Sequence, residues 1–316
     1  MNLLDKAKSL VPVLSYDMHK GDCGRLGFFG GCEEYTGAPY FAAISALKLG
    51  ADLSHIYCEK DAAPIIKSYS PDLIVHPYLR SLENTSGLPE NHIDFIHQKI
   101  IGTTSKQHAF SIGSGLGRDP NIHKSIALMI SHAKNANVPI VLDADSIYIV
   151  AQNPQLVSGH KLAILTPNVN EFKTLATALG IDSKPIVENV EKVAKELNGV
   201  TIVLKGKQDI ITNGISTIYC NQTGGLKRCG GQGDVLSGAI ATFLGWGICK
   251  SQKRWISEQE ISSEELPLLA AYSGCKVTRT ASHLTFEKYG LSMQTSNLLE
   301  FLGEALTLSF NKPCKL

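Results

Sequence analysis

Arg228-Cys229-Gly230-Gly231-Gln232-Gly233-Asp234 runs directly into Val235-Leu236-Ser237-Gly238-Ala239-Ile240-Ala241-Thr242-Phe243-Leu244. Three glycines lead to one aspartate, and the aspartate opens an apolar segment of helical character. Glycine lets a backbone approach a ligand closely and turn its N–H groups inward. The first turn of a helix carries unpaired N–H donors and partial positive charge, which suit an anion. A carboxylate there can take a proton from a hydroxyl while the amides hold a phosphate. The stretch reads as a phosphate cradle with a built-in base; a plain turn, with Asp234 as helix N-cap, is the alternative these residues leave open. It is not a Walker A loop, since no Lys-Ser/Thr follows the glycines, and it lacks the Gly-x-Gly-x-x-Gly that opens a dinucleotide-binding βαβ unit.

Upstream, Thr201–Leu204 reads as a buried strand ending in Lys205-Gly206-Lys207-Gln208-Asp209. Ile210–Thr212, Asn213-Gly214 and Ile215–Cys220 then read as a β-hairpin with Asn-Gly as its turn. Further apolar strands are expected at Leu26–Phe29, Leu53–Cys58, Leu73–His76, Ala109–Ile112, Pro139–Leu142 and Leu162–Leu165. Between them lie helical patterns, the clearest at Pro39–Gly50, 121–135 and 189–197. Residues 1–23 are mixed and polar, with room for a capping helix, and 80–106 carry little signal. The segment 250–265 reads as a surface loop or short helix, and Leu266–Thr280 and Thr295–Leu306 as closing helices. Small residues at Ala270, Ala271, Ser273 and Gly274 suggest close packing.

The predicted strands end in glycine or polar motifs: Gly30-Gly31, Gly113-Ser114-Gly115-Leu116-Gly117, Asp143-Ala144-Asp145, Thr166-Pro167-Asn168 and Lys205-Gly206. In a parallel sheet these ends share one edge, where ligands bind. Asp143 and Asp145 could touch a metal or polar ligand, or cap the next helix. Asn168 and Glu171 fit an N-cap with its capping box, which is the reading these residues favour on their own; an amide–carboxylate pair holding Mg²⁺ through water is the alternative. Together, cradle, acid and strand-end lysine suggest phosphoryl transfer from a nucleotide.

Composition narrows the setting. The chain has 316 residues, 43% of them apolar, and a net charge of +1. That supports one large α/β core over residues 1–316 and gives no sign of nucleic-acid or membrane affinity. The eight cysteines form no Cys-x-x-Cys pair, so reduced thiols in a cytoplasmic setting are expected rather than a zinc site or disulfide framework. No secretory leader and no apolar run of ~18 residues is present.

The whole pattern resembles the ribokinase-like superfamily and, within it, the ATP-dependent NAD(P)H-hydrate dehydratases, eukaryotic branch. The resemblance rests on Gly30-Gly31-Cys32-Glu33-Glu34-Tyr35-Thr36-Gly37-Ala38-Pro39-Tyr40-Phe41-Ala42, Gly115-Leu116-Gly117-Arg118-Asp119, Asp143-Ala144-Asp145, Leu165-Thr166-Pro167-Asn168, Lys205-Gly206 and the cradle itself. It implies a mostly parallel central sheet flanked by helices, with an antiparallel hairpin near the edge. It also implies ATP-dependent dehydration of the S epimer of hydrated NADH or NADPH, with Mg²⁺ accompanying ATP.

By the same resemblance Asp234 is the catalytic base. ATP would lie on Lys205, Gly206, Lys207, Gln208 and Asp209, and on Gly224, Gly225, Leu226, Lys227, Arg228, Cys229, Gly230, Gly231, Gln232 and Gly233. The hydrate would lie on Gly117, on Asn168, Val169, Asn170, Glu171, Phe172, Lys173 and Thr174, on Asp234 and on Tyr35, with Glu171 the candidate metal contact. Many relatives have Asn-His-x-Glu-Phe where this chain has Asn168-Val169-Asn170-Glu171-Phe172, so a role for that histidine has no counterpart here. There is no room for a fused epimerase domain, which makes a separate NAD(P)H-hydrate epimerase the expected functional partner. The competing readings are a vitamin-precursor kinase of the same superfamily and a non-catalytic nucleotide sensor.

Overall fold

The computed structural model describes residues 2–255 and 259–310. Nine strands form one sheet: β1 (Arg25–Phe29), β2 (Leu53–Glu59), β3 (Ile74–Leu79), β4 (Ala109–Ile112), β5 (Ile140–Leu142), β6 (Ala163–Leu165), β7 (Thr201–Leu204), β8 (Asp209–Thr212) and β9 (Thr217–Cys220). Their spatial order is β3-β2-β1-β4-β5-β6-β7-β8-β9. Neighbours from β3 to β7 are parallel, whereas β8 and β9 add an antiparallel edge.

The chain moves outward from β1 to β3, then returns to place β4 on the other side of β1, in register from Leu26↔Ala109 to Phe29↔Ile112. This reversal is a topological switch point, and it opens a crevice beyond the carboxyl ends of β1 and β4.

The helices are α1 (Leu3–Lys8), α2 (Gly37–Leu49), α3 (Ala63–Tyr69), α4 (His92–Thr104), α5 (Pro120–Asn135), α6 (Asp145–Gln152), α7 (Val169–Ala178), α8 (Val187–Glu196), α9 (Gln232–Ser251), α10 (Leu266–Tyr289), α11 (Thr295–Leu298) and α12 (Leu302–Phe310). Two apolar cores result, one on each face of the sheet. Val141 points into the core shared with α2, α9, α10 and α12, while Ile140 and Leu142 point into the core under α4 to α8. Because both faces are covered, the central strands are continuous apolar runs rather than alternating ones.

α9 is buried nearly all round, being packed by the sheet, α2 and α10. Close approach needs missing side chains: a Cβ on Gly238 would lie 2.1 Å from the Ala42 carbonyl, and one on Gly274 of α10 would lie 2.5 Å from Ile240. The small residues of α10 do serve packing. This packing fixes where the first turn of α9 sits relative to the strand ends.

Several boundaries differ from the sequence reading. The segment 1–23 forms only the short α1, because Pro12 and Gly21 prevent a longer helix. α4 arises within the weak 80–106 stretch and buries Ile96 and Ile100, too few apolar positions for a clear period. α3 was likewise not legible. α10 continues to Tyr289 because nothing from Ala281 onward breaks it until Gly290, at φ +55°. The last helix is instead two, α11 and α12, joined by a 3₁₀ turn at Leu299–Phe301.

The hairpin loop spans Asn213 to Ser216 rather than a two-residue Asn-Gly turn: the Asn213 carboxamide accepts from the N–H groups of Ile215 and Ser216. Positions 256–258 of the 250–265 segment, Cys314 and residue 1 lie outside the described residues. The seven described cysteines are free thiols, and no helix among the described residues is long and apolar enough to cross a membrane.

Candidate active site

The expected strand ends converge on one edge. Gly231 is the N-cap of α9, at φ +92°, a conformation open to glycine; a Cβ there would also meet Phe41 at 2.8 Å and Thr295 at 3.0 Å. Gln232, Gly233 and Asp234 form the first turn, with Asp234 inside the helix rather than at the N-cap. The first intrahelical bond runs from the Val235 N–H to the Gly231 carbonyl at 3.0 Å, so the earlier amides stay open to a ligand. Thr295, buried at the start of α11, donates to the Gly230 carbonyl at 2.5 Å and props the cradle from behind.

Two cavities meet at Asp234. The first, of about 730 Å³, is lined by Lys205, Gly206, Lys207, Asp209, Gly224, Arg228 and the cradle from Cys229 to Asp234, with Asp143, Asn168 and Glu171 at its inner end. The second, of about 1040 Å³, fills the switch-point crevice and is lined by Cys32–Tyr35, Gly115–Asp119, Asp145 and Asp234. Asp234 and Ala144 stand in the walls of both. Ala144 holds φ +49°, a strained value for a residue with a side chain, at the point where the clefts join.

Burial, and next the nearby Asp143 charge, push the Asp234 carboxyl up to about 7, against the opposing pull of Ser114 and Lys205. A carboxylate poised near neutrality is a competent general base. Asp143 is buried and accepts from Thr166 Oγ1 at 2.7 Å and Lys205 Nζ at 2.8 Å. Lys205 also stands 3.8 Å from Glu171. Burial alone would lower the Lys205 pKa, but Asp143 and Glu171 outweigh it and leave the ammonium group more firmly protonated. Lys205 is thus a fixed cation that also acts on the Asp234 carboxylate.

The two acids of Asp143-Ala144-Asp145 do not share a ligand: Asp145 accepts from the Gly117 N–H at 3.0 Å and pairs with Arg118 at 3.4 Å. Asn168 forms the full capping box. Its Oδ1 accepts from the Asn170 and Glu171 N–H groups, and Glu171 Oε2 accepts from the Asn168 N–H at 2.8 Å. Burial raises the Glu171 pKa, with Lys205 opposing. Among the described residues no group of three or more His, Cys, Asp or Glu side chains is placed to hold a metal ion. A Mg²⁺ held by nucleotide phosphates and water, with Glu171 or Asp143 reached through water, fits these donors.

Some expected contacts fall elsewhere. Phe172 is fully buried in the core beneath α7, so its side chain does not reach a cleft. Val169, Asn170, Lys173 and Thr174 line neither cleft, and Asn168 and Glu171 face the first cleft rather than the one holding Gly117 and Tyr35. The Gly225 N–H is taken by Ser282 Oγ at 3.2 Å; Leu226 projects into solvent; Lys227 binds the Leu291 carbonyl; and Gln208 binds Asn221. Asp209 lines the first cleft, but its carboxylate is taken by Arg279, with Nε and Nη2 each at 2.6 Å.

Arg279 was missed from sequence. It reaches from α10 to the carbonyls of Gly206 at 2.7 Å and Lys207 at 3.1 Å, clamping the Lys205–Asp209 loop. The one signal for it in the sequence is an arginine on a helix otherwise rich in small and apolar residues.

A mostly parallel sheet with an antiparallel edge, a glycine-rich turn opening α9 and a buried carboxylate between two clefts is the architecture of the ribokinase-like class of α/β proteins. The comparisons agree. The model of the NAD(P)H-hydrate dehydratase family matches residues 26–303, and the chain belongs to that family. It is 44% identical over 304 residues to the ATP-dependent (S)-NAD(P)H-hydrate dehydratase of Schizosaccharomyces pombe, covering 96% of this chain and 92% of that protein. It is 40% identical over 312 residues to the human protein of that name, covering 98% of this chain and 85% of that protein. The fold matches the Bacillus subtilis ADP/ATP-dependent NAD(P)H-hydrate dehydratase co-crystallized with ATP/Mg²⁺, with TM-score 0.68, 19% identity and 97% of each chain covered. It also matches a ribokinase-like superfamily protein from Enterococcus faecalis, with TM-score 0.72, 19% identity and coverage of 98% of this chain and 95% of that one.

Proposed function

We propose that this protein uses ATP to dehydrate the S epimer of hydrated NADH or NADPH, restoring NAD(P)H and releasing ADP and phosphate. The observation that carries this reading is the place of Asp234 in the walls of both clefts. A nucleotide in the first cleft directs its γ-phosphate at Asp234, and a hydrate in the second directs its C6 hydroxyl at the same carboxylate. Asp234 accepts the hydroxyl proton as the oxygen attacks the γ-phosphorus and ADP departs. The amides of Gly231 to Asp234 and the Lys205 ammonium stabilise the charge on the transferred group.

The C6–O bond then breaks. Phosphate leaves with the bonding electrons, the ring nitrogen supplies an electron pair, and loss of a C5 proton restores the double bond. Phosphorylation is what makes this step feasible, since hydroxide is a poor leaving group and phosphate a good one. Glu171, through water, would help hold a Mg²⁺ brought by the nucleotide phosphates, and that ion would supply charge neutralisation. Because the S epimer alone is used, a separate epimerase is the functional partner that supplies it from the R epimer.

The test is absorbance at 340 nm after mixing protein, hydrated NADH, Mg²⁺ and ATP, with an ATP-free control. The expected result is an ATP-dependent rise with equal phosphate release. A stable phosphorylated product without the rise favours a small-molecule kinase, and no ATP turnover favours a sensor.

A further inference from the structure

We infer that Arg118 binds the diphosphate of the hydrated dinucleotide in the second cleft. This assignment rests on the dehydratase reading of the site, but its test needs no turnover.

Carboxylates dominate the charged lining of the second cleft, and Arg118 is the one cation among the described residues that line it. The diphosphate of a dinucleotide is anionic, and beside carboxylates it meets like charge. The amides at the start of α5 offer it nothing, because Asp119 caps them by accepting from the Asn121 and Ile122 N–H groups. Arg118 is therefore the group in this cleft with charge of the right sign. It shares one continuous cavity with Asp234, and its partner Asp145 follows Ala144 at the junction of the clefts.

Arg118 is pinned at its backbone and open at its tip. On one side the Gly117 N–H donates to Asp145 Oδ2 at 3.0 Å, and the Gly117 carbonyl lies 2.9 Å from His123 Nε2. On the other, Asp119 Oδ2 accepts from the Leu82 N–H at 2.8 Å. The guanidinium lies over the Tyr148 ring, 4.2 Å from its centroid, and Nη2 stands 3.4 Å from Asp145 Oδ1. An aromatic face and a flanking carboxylate orient a guanidinium without consuming its fork of donors.

Those donors are unused. Arg25, Arg80, Arg228, Arg254 and Arg279 each donate a hydrogen bond to a protein acceptor. Among the described residues Arg118 has only the longer ion pair with Asp145, and its side chain is 60% exposed. A planar fork of N–H groups that is already oriented matches phosphate oxygens bidentately.

The experiment measures, by calorimetry, the binding of the product NADH and of reduced nicotinamide riboside, which has the same ring and no phosphate. Wild type, Arg118→Gln and Arg118→Lys are compared with the first cleft filled by ADP and Mg²⁺. Arg118→Gln is expected to weaken NADH binding about 10–100-fold, the scale of lost charge-assisted hydrogen bonds, and to change riboside binding less than about twofold. Arg118→Lys recovers part of the loss, since it keeps the charge and not the fork. In turnover the KM for the hydrate rises by the same factor with kcat little changed, as for a contact made equally in ground and transition states. Equal losses for NADH and the riboside would make Arg118 a structural support of its loop and overturn the assignment. So would NADH binding that is unchanged in Arg118→Gln or absent from the wild type. Loss of NADH binding specific to Arg118→Gln, with no ATP-dependent rise at 340 nm from the hydrate in the wild type, upholds the phosphate contact and defeats the dehydratase reading alone.

Discussion

The two clefts that meet at Asp234 differ in their cations. The first presents Lys205, Lys207, Arg228 and Arg279, set among Asp143, Glu171 and Asp209, together with the open amides of a helix start. The second presents Glu33, Glu34, Glu59, Asp61, Glu83, Asp119 and Asp145, and among the described residues lining it the one cation is Arg118. On the proposed function the triphosphate of ATP lies in the first cleft and the hydroxyl-bearing ring of the hydrate in the second, where carboxylates can accept its hydrogen bonds, with Asp234 within reach of both.

The sharpest break in this picture is at the shared residue. Asp234→Asn is expected to lose about 10²–10⁴-fold in kcat, while ATP still raises its melting temperature. In the wild type the base must be ionised, so kcat/KM falls as pH drops through about 7 and levels off above it. Near-normal turnover in the variant removes Asp234 from the chemistry.

The next test lies on the cationic side alone. Lys205→Ala is expected to weaken apparent ATP affinity about 10–100-fold, the scale of a lost charge-assisted contact, with the KM for the hydrate nearly unchanged. An unchanged KM for ATP counts against the assignment of ligands to clefts.

Arg279 acts one step further back. Arg279→Lys keeps the charge but cannot span both Asp209 oxygens and the Gly206 carbonyl. The KM for ATP should rise about three- to tenfold, and the melting temperature should drop because Asp209 is left less well paired. Equal effects on both substrates would contradict a role confined to the nucleotide loop.

The smallest effect concerns the acidic side. NADPH hydrate carries one more phosphate than NADH hydrate into that cleft. Its kcat/KM should be about two- to fivefold lower, and the gap should narrow between 50 mM and 500 mM salt as screening grows. A ratio insensitive to salt would show that the acids do not sense the substrate's charge.

The nucleotide side was far more legible in sequence than the hydrate side, for a physical reason. Glycines, a strand-end lysine and an acid at a helix start are local signals, and Gly230–Asp234 and Lys205 are near each other in the chain. The second cleft is assembled by topology: β1 and β4 are distant in sequence and adjacent in the sheet, so Tyr35 meets Gly115 and Cys32 meets Gly117 only once the switch point forms. Arg279 likewise acts across 70 residues on Asp209. Phe172 shows the opposite failure, where a residue within a motif segment points into the core because α7 turns that face to the sheet. The helix α4 was missed because its buried face is only three residues wide, Ile96, Ile100 and Thr104.

The most direct measurement traces one oxygen atom. NADH hydrate prepared in ¹⁸O-water carries the label in its C6 hydroxyl. With ATP and this protein, the released phosphate is examined by mass spectrometry or by the isotope shift of its ³¹P signal. If the hydroxyl is phosphorylated at Asp234 and then expelled, each phosphate carries one ¹⁸O. If the label appears in water and the phosphate carries solvent oxygen, ATP is merely hydrolysed beside the dehydration, and transfer between the two clefts is contradicted.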